Sequence, residues 1–249
     1  MALEISTLTF DAIDPARQTA FWATVLDRPT DGRVVLPDDQ GPSTMPIRFA
    51  GTTAPKVDRL QMHLDLTSTS PEDQAALVER ALDLGARHLD IGQRGDEGHV
   101  VLADPEGNEF CVIEPGNAFL ADCGRVGCLA GDGSRAAGEF WSTALDWPLV
   151  WDEGEETAIQ SPAGGTKISW GGPPLATYTQ RCRPHLDLVP CLGSSLRAEV
   201  ERLVRLGASV HPDLDDLGPR ASTPASSEPA AHVVLTDPDG HEFGVRARP

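Results

Sequence analysis

Between Leu60 and Leu66 apolar and polar residues alternate, so Met62, Leu64 and Leu66 share one face of a strand and His63 and Asp65 the other. Ser70-Pro71-Glu72-Asp73 then carries the signature of a helix start: a capping hydroxyl, a first-turn proline and two acids at the positive end of the helix dipole. Leu77, Val78, Ala81, Leu82 and Leu84 form its apolar stripe, and Gly85 fits its stop. Residues 99 to 110 read as a hairpin, with three apolar β-formers before Asp104-Pro105-Glu106-Gly107, a type I turn pattern. The turn sets the parity of the returning strand, so Glu109, Cys111 and Ile113 share one face, and Phe110, Val112 and Glu114 the other.

Upstream, Leu3, Ile5, Leu8 and Phe10 predict a strand, and Asp14-Pro15 opens a helix whose Phe21, Trp22, Val25 and Leu26 fall at helical spacing. It ends near 27 to 29, and short strands are expected around 33 to 36 and 46 to 50. All of this is then said again. Phe140-Trp141 repeats Phe21-Trp22 at an offset of 119, and His185-Leu186-Asp187-Leu188 repeats His63-Leu64-Asp65-Leu66 at 122. The hairpin returns at 133, as residues 232 to 243, identical at nine of twelve positions. The second copy therefore carries 11 extra residues, placed by the Pro- and Ser-rich stretch 212–231, which has no apolar periodicity and reads as a loop. A boundary at 115 to 124 divides the chain into 1–117 and 118–249.

Composition narrows the function classes. A net charge of −18 opposes nucleic acid and anionic membranes, which bind proteins largely through Lys and Arg. No apolar run approaches the ~20 residues a bilayer requires, and the first residues lack a signal-peptide pattern, so a cytoplasmic protein without membrane contact is expected. Five cysteines, an odd number at irregular spacing, suit free thiols, and Cys123 and Cys128 have no further pair at zinc spacing. Nucleophile triads, phosphate loops and dinucleotide fingerprints are missing from the sequence.

The tandem order of strand, helix and strands, with Phe-Trp, His-Leu-Asp-Leu, Leu-Gly-Ala and Asp-Pro-acid-Gly at matching places, resembles the glyoxalase/bleomycin-resistance/dioxygenase superfamily, the vicinal oxygen chelate proteins. The resemblance implies an α+β fold of four βαβββ modules, two glyoxalase-like domains whose curled mixed sheets enclose cavities. In metal-using relatives a divalent ion is held by His or Glu on the first strand of a module and by Glu on the last. Carried onto this chain, the histidine positions fall on His63 and His185, and the last-strand positions on Cys111 and Gly244, neither a carboxylate. The first strands, around 6 to 9 and 125 to 128, hold no His, Glu or Asp.

Strand parity aims His63 into the first cavity with Glu109, Cys111 and Asp65 as company, and His185 into the second with Glu242 and Asp187. His63 and His185 are ligand anchors, or histidines paired to Glu109 and Glu242 to hold their sheets. Trp170 is a candidate for stacking on a flat ligand or for simple packing, Arg48 for meeting an anionic group or reaching solvent, and Cys111 for a buried small residue. The Phe-Trp pairs read as core. The expectation is a monomeric or homodimeric protein that binds a small organic molecule without a catalytic metal or other cofactor. The alternatives are a metal-dependent or acid/base lyase, isomerase or dioxygenase of the same superfamily, and an interaction scaffold with no open cavity.

Overall fold

The computed structural model describes residues 3–37, 45–178, 182–210 and 232–248. The expected loop at 212–231 lies outside the described residues. Four modules follow one another. The first is β1 (Leu3–Ala12), α1 (Pro15–Leu26), β2 (Thr30–Asp31), β3 (Val34–Val35) and β4 (Ile47–Gly51); the second is β5 (Met62–Leu66), α2 (Pro71–Asp83), β6 (Arg87–His88), β7 (Val100–Ala103) and β8 (Glu109–Val112). The third is β9 (Val126–Gly131), α3 (Arg135–Leu145), β10 (Leu149–Glu153), β11 (Glu156–Ile159) and β12 (Lys167–Trp170). The fourth is β13 (Pro184–Pro190), α4 (Leu196–Leu206), β14 (Ser209–Val210), β15 (His232–Thr236) and β16 (Glu242–Arg246).

The helix starts follow the capping signals. Asp14 accepts from the Arg17 N–H with Pro15 behind it, Ser70 accepts from Asp73 N–H ahead of α2, and α1 ends at Asp27, which takes a left-handed conformation.

The strands form two eight-stranded mixed sheets. One runs β14-β15-β16-β13-β1-β4-β3-β2 and the other β10-β11-β12-β9-β5-β8-β7-β6. Each sheet thus joins one module from either half of the sequence, the first with the fourth and the second with the third. Their central seams are antiparallel, β1 on β13 and β5 on β9. The division at 117 describes the sequence repeat, while the sheets are built across it.

This exchange explains the repeated motifs. Trp22, on α1 of the first module, donates its indole N–H to Asp104 in the hairpin of the second (3.3 Å), and Trp141 does the same to Asp237 in the fourth (3.0 Å). Each Asp also ties its own turn, accepting from backbone N–H groups two and four residues on, so the buried carboxylate is fully occupied. Trp22 packs edge-on against Phe110, with centroids 5.0 Å apart, and Trp141 against Phe243, 4.9 Å apart. The Phe-Trp pairs are therefore core, and one apolar cluster runs through both sheets.

The variable acid of each hairpin turn staples the two sheets together. Glu106 accepts from the N–H groups of Ile13 (2.9 Å) and Asp14 (2.7 Å) and pairs with buried Arg183 (3.0 Å). Asp239 caps Ser134 at the start of α3 through its N–H and hydroxyl.

Candidate functional site

β5 lies at the centre of its sheet with β9 on one side and β8 on the other. Its alternation turns Met62, Leu64 and Leu66 into the core and His63 and Asp65 onto the concave face. Register brings Cys111 of β8 and Cys128 of β9 to either side of Asp65, and Ala130 opposite His63. On this face lies a cavity of about 550 Å3. His63, Asp65's neighbour Cys111 and Val101 form its floor, Glu109, Arg59 and Ile91 its sides, and Gln61 and Tyr178 its far wall.

His63 Nε2 lies 3.3 Å from Asp65 Oδ1, and the imidazole is 34% exposed toward the hollow. Burial pulls its pKa down, but the hydrogen bond and charge of Asp65, with Cys111 adding to them, outweigh burial and hold it at about 10. Cys111 goes the other way: burial pushes its thiol pKa up despite the imidazole beside it. His63 is thus a proton-rich donor facing the cavity. Its partner is Asp65 rather than Glu109, whose carboxylate is held by Lys56 (2.8 Å) and the Leu60 N–H (3.1 Å). Glu109 still lines the cavity. Among the described residues, His63, Asp65 and Cys111 are the one group of three potential metal ligands with donor atoms all within 4.8 Å of one another.

A strap after β12, residues 174–178, lines the far side. Asp132 accepts from the Ala176 N–H (2.7 Å) and the Tyr178 hydroxyl (3.0 Å), pinning both to the edge of β9. Beyond the strap lies a second, polar hollow of about 400 Å3 walled by Gln61, Tyr178, Cys182, Asp239 and Glu242. Glu242 therefore lines a space separate from His185.

The same four-residue motif has the opposite fate in the other sheet. Asp187 is fully buried, and its Oδ2 accepts from the Thr9 hydroxyl (2.6 Å) and the Arg48 guanidinium (3.0 Å) and is bonded by Arg246 as well. His232 Nε2 approaches its other oxygen at 4.0 Å. Gly244, opposite Asp187, makes this possible: a Cβ there would lie 2.5 Å from Asp187 Oδ1 and 2.6 Å from His232 Nε2. Burial pushes the Asp187 pKa up, but His185, Arg246, Thr9 and Arg48 overcome it and hold the carboxyl at about 2. His185 is buried, with Nδ1 3.3 Å from the Arg183 carbonyl. The anionic group that Arg48 meets is the protein's own.

Trp170 is corrected by the structure. Along β12 it is Ser169 that faces the cavity side, bonded to Cys128 at 3.2 Å, whereas Trp170 shares the core face with Ile168 and is 1% exposed. Gly133 leaves the slot for its ring, since a Cβ there would come within 2.3 Å of Trp170 Cδ1. Stacking on a ligand is excluded by that burial. Sequence reasoning missed Gln61, Arg59, Asp132 and Tyr178, which stand in irregular segments or at a strand end without periodicity, and Arg246, whose basic side chain two residues past Gly244 was the available signal.

A glyoxalase-like domain family model matches residues 7–113 and again 128–246. A search of curated proteins returns no match. Among solved structures, glyoxalase I from Zea mays superposes with a TM-score of 0.64 at 11% identity, over 99% of this chain and 92% of that one. A putative dioxygenase from Bacillus subtilis subsp. subtilis str. 168 gives 0.58 at 15% identity, over 100% and 86%. At such identities these likenesses speak for the fold. With the two family matches spanning most of its length, the chain belongs to the glyoxalase-like domain family.

Proposed function

We propose that the protein binds one small organic molecule in the cavity over β5, with His63 as its polar anchor. The observation that carries this reading is the asymmetry between the sheets. Two copies of His-Leu-Asp-Leu face equivalent positions, yet one Asp is locked by two arginines and a threonine, while the other leaves its histidine turned to a hollow of about 550 Å3. That volume lies in the range of small-molecule sites, which combine apolar walls with a few placed polar groups. Both sheets close within one chain, so the cavity needs no second copy, and we propose a monomer as the working unit. No described helix is long and apolar enough to cross a membrane.

A thermal-shift screen of small aromatic and carbonyl compounds tests this. Hits that stabilise the protein should lose their effect in Val101→Phe, because Val101 pairs with Cys111 across β7 and β8 and a larger side chain there fills the floor. Hits unaffected by that change would place binding elsewhere. The strap adds a kinetic expectation. Asp132→Ala removes two hydrogen bonds worth about 1 kcal/mol each, so a bound dye should leave roughly tenfold faster in stopped-flow release, with the fold intact.

A second reading, an acid/base or metal-assisted lyase, isomerase or dioxygenase, is favoured by the convergence of His63, Asp65 and Cys111. An imidazole held protonated by a carboxylate is a ready general acid for a carbonyl-bearing ligand. Where an ion is supplied, these three donors would hold it, and it would act as a Lewis acid toward a ligand oxygen. His63→Gln should then abolish turnover of any substrate found while retaining binding within about tenfold.

A further inference from the structure

We infer that Arg48 and Arg246 form a binding site for one small oxyanion, a carboxylate or a phosphate ester group. The site belongs to the sheet of β1 and β13, so it stands apart from the cavity over β5 and does not depend on the proposed function. Both guanidiniums reach the same atom, Asp187 Oδ2, through Nη2, and therefore lie close together. Strand register brings this about. Arg48 stands beside Thr9 of β1, Arg246 beside His232 of β15, and Asp187 beside Gly244, where a Cβ would collide with the carboxylate. The Asp187 side chain is 0% exposed, whereas those of Arg48, Arg246 and His232 are 28%, 29% and 27% exposed. Solvent thus meets the cations, and the anion between them is hidden.

Donors and charge are both in surplus. A guanidinium carries five N–H bonds. Arg48 spends Nε on the Thr9 hydroxyl (3.3 Å) and Nη2 on Asp187, and Arg246 spends Nη2 on Asp187. Among the described residues, Arg246 Nε is buried without a hydrogen-bond partner, and neither Nη1 makes a hydrogen bond. One carboxylate also faces two cations. Burial and the charge of Arg246 pull the Arg48 pKa down against Asp187, the sign of like charges held close together. Asp11, two residues along β1 from Thr9, is the other carboxylate acting on Arg48, and acts more weakly than Asp187. An oxyanion with two oxygens can accept from both remaining Nη1 groups, the planar pairing for which arginine is suited. The net charge of −18 repels anions at long range, but at about 0.1 M salt such forces fade beyond ~10 Å, so affinity must come from contact. The β5 face has no counterpart among the described residues: Ser169 holds the place of Arg48, and Asp65 pairs with His63.

The test is isothermal titration calorimetry of the full chain with inorganic phosphate and, separately, with benzoate, against sodium chloride of equal ionic strength. The expected result is one anion per chain. Phosphate binding alone assigns the site to phosphate esters and benzoate binding alone to carboxylates, and either supports it. Arg48→Lys and Arg246→Lys keep the charge but lose the fork, so each should weaken binding roughly tenfold. Asp187→Asn releases both forks, so the folded variant should bind the same anion about tenfold more tightly, and the anion should raise its Tm by more than that of wild type. Denaturant midpoints check that each variant is folded. No saturable heat at about 10 mM of either anion would overturn the site, as would binding untouched by both lysine variants or not tightened in folded Asp187→Asn. Anion binding lost in Val101→Phe would place the anion over β5 instead, and would overturn it too. Failure of the small-molecule reading is read separately, by the neutral compounds of the thermal-shift screen.

Discussion

Asp187→Asn is expected to destabilise the protein by about 2 to 3 kcal/mol, a fall of roughly 5 to 10 °C in Tm, while Asp65→Asn, which leaves no stranded arginine, should lower the His63 pKa toward its ordinary value. The two aspartates occupy the same place in repeated sequence, so the contrast isolates their surroundings. Asp187 is fully buried and balances Arg48 and Arg246, whose guanidiniums remain 28% and 29% exposed. Removing the carboxylate leaves two cations facing each other in the sheet; their access to water is why the loss falls below the ~3 to 5 kcal/mol of a fully buried pair. Asp65 faces one histidine across a 3.3 Å contact at the edge of open space. Urea unfolding of Asp187→Asn measures the first effect, and an NMR titration of His63 in Asp65→Asn the second. The pH dependence has a definite sign. The Asp187 carboxyl sits at about 2 when folded, below its ordinary value near 3.8, so its stabilisation is full above about pH 4 and is lost as pH falls through 2. Wild type should lose about 2 kcal/mol more than Asp187→Asn across that window.

The second large effect belongs to the hairpin acids. Glu106→Ala should cost about 3 kcal/mol, against about 1 kcal/mol for Asp239→Ala at the same place in the other copy. Glu106 and Arg183 are 9% and 5% exposed, so truncation strands a buried guanidinium and removes the acceptor of two backbone N–H groups. Asp239 serves the N–H and hydroxyl of Ser134, which is partly open to water, and among the described residues it pairs with no arginine. Chemical denaturation reads the difference. Equal losses would mean that the staples are equivalent, and that the Arg183 pair adds nothing.

Much of the fold was legible because it is local. Capping residues, helical stripes and the Asp-Pro-acid-Gly turn act within a few residues of themselves, and repetition doubled each signal. The site was legible only by half. Parity alone put His63, Asp65, Cys111 and Glu109 on one face, and the structure brings His63, Cys111 and Glu109 to the lining of the hollow, with Asp65 beside His63. What parity cannot give is the strand next door. His63 and His185 sit in identical tetrapeptides, and their difference is written in Cys111 against Gly244, each within its own module, and in Ser169 against Arg48, reached only when the sheets pair across the two halves. Trp170 shows the same limit at a single residue. A one-step error in facing sends a ring to the core, and only Gly133, 37 positions earlier, reveals the slot prepared for it.

The central claim is that one sheet turns its histidine to an open hollow while, among the described residues, the matching carboxylate of its counterpart is held by the protein's own arginines. The direct measurement is the stoichiometry of the neutral dye Nile red, titrated into wild type, Val101→Phe and Asp187→Asn. The account predicts about one dye per chain for wild type and for Asp187→Asn below its unfolding midpoint, and none for Val101→Phe. Two equivalent sites in wild type, or dye binding untouched by Val101→Phe, would contradict it.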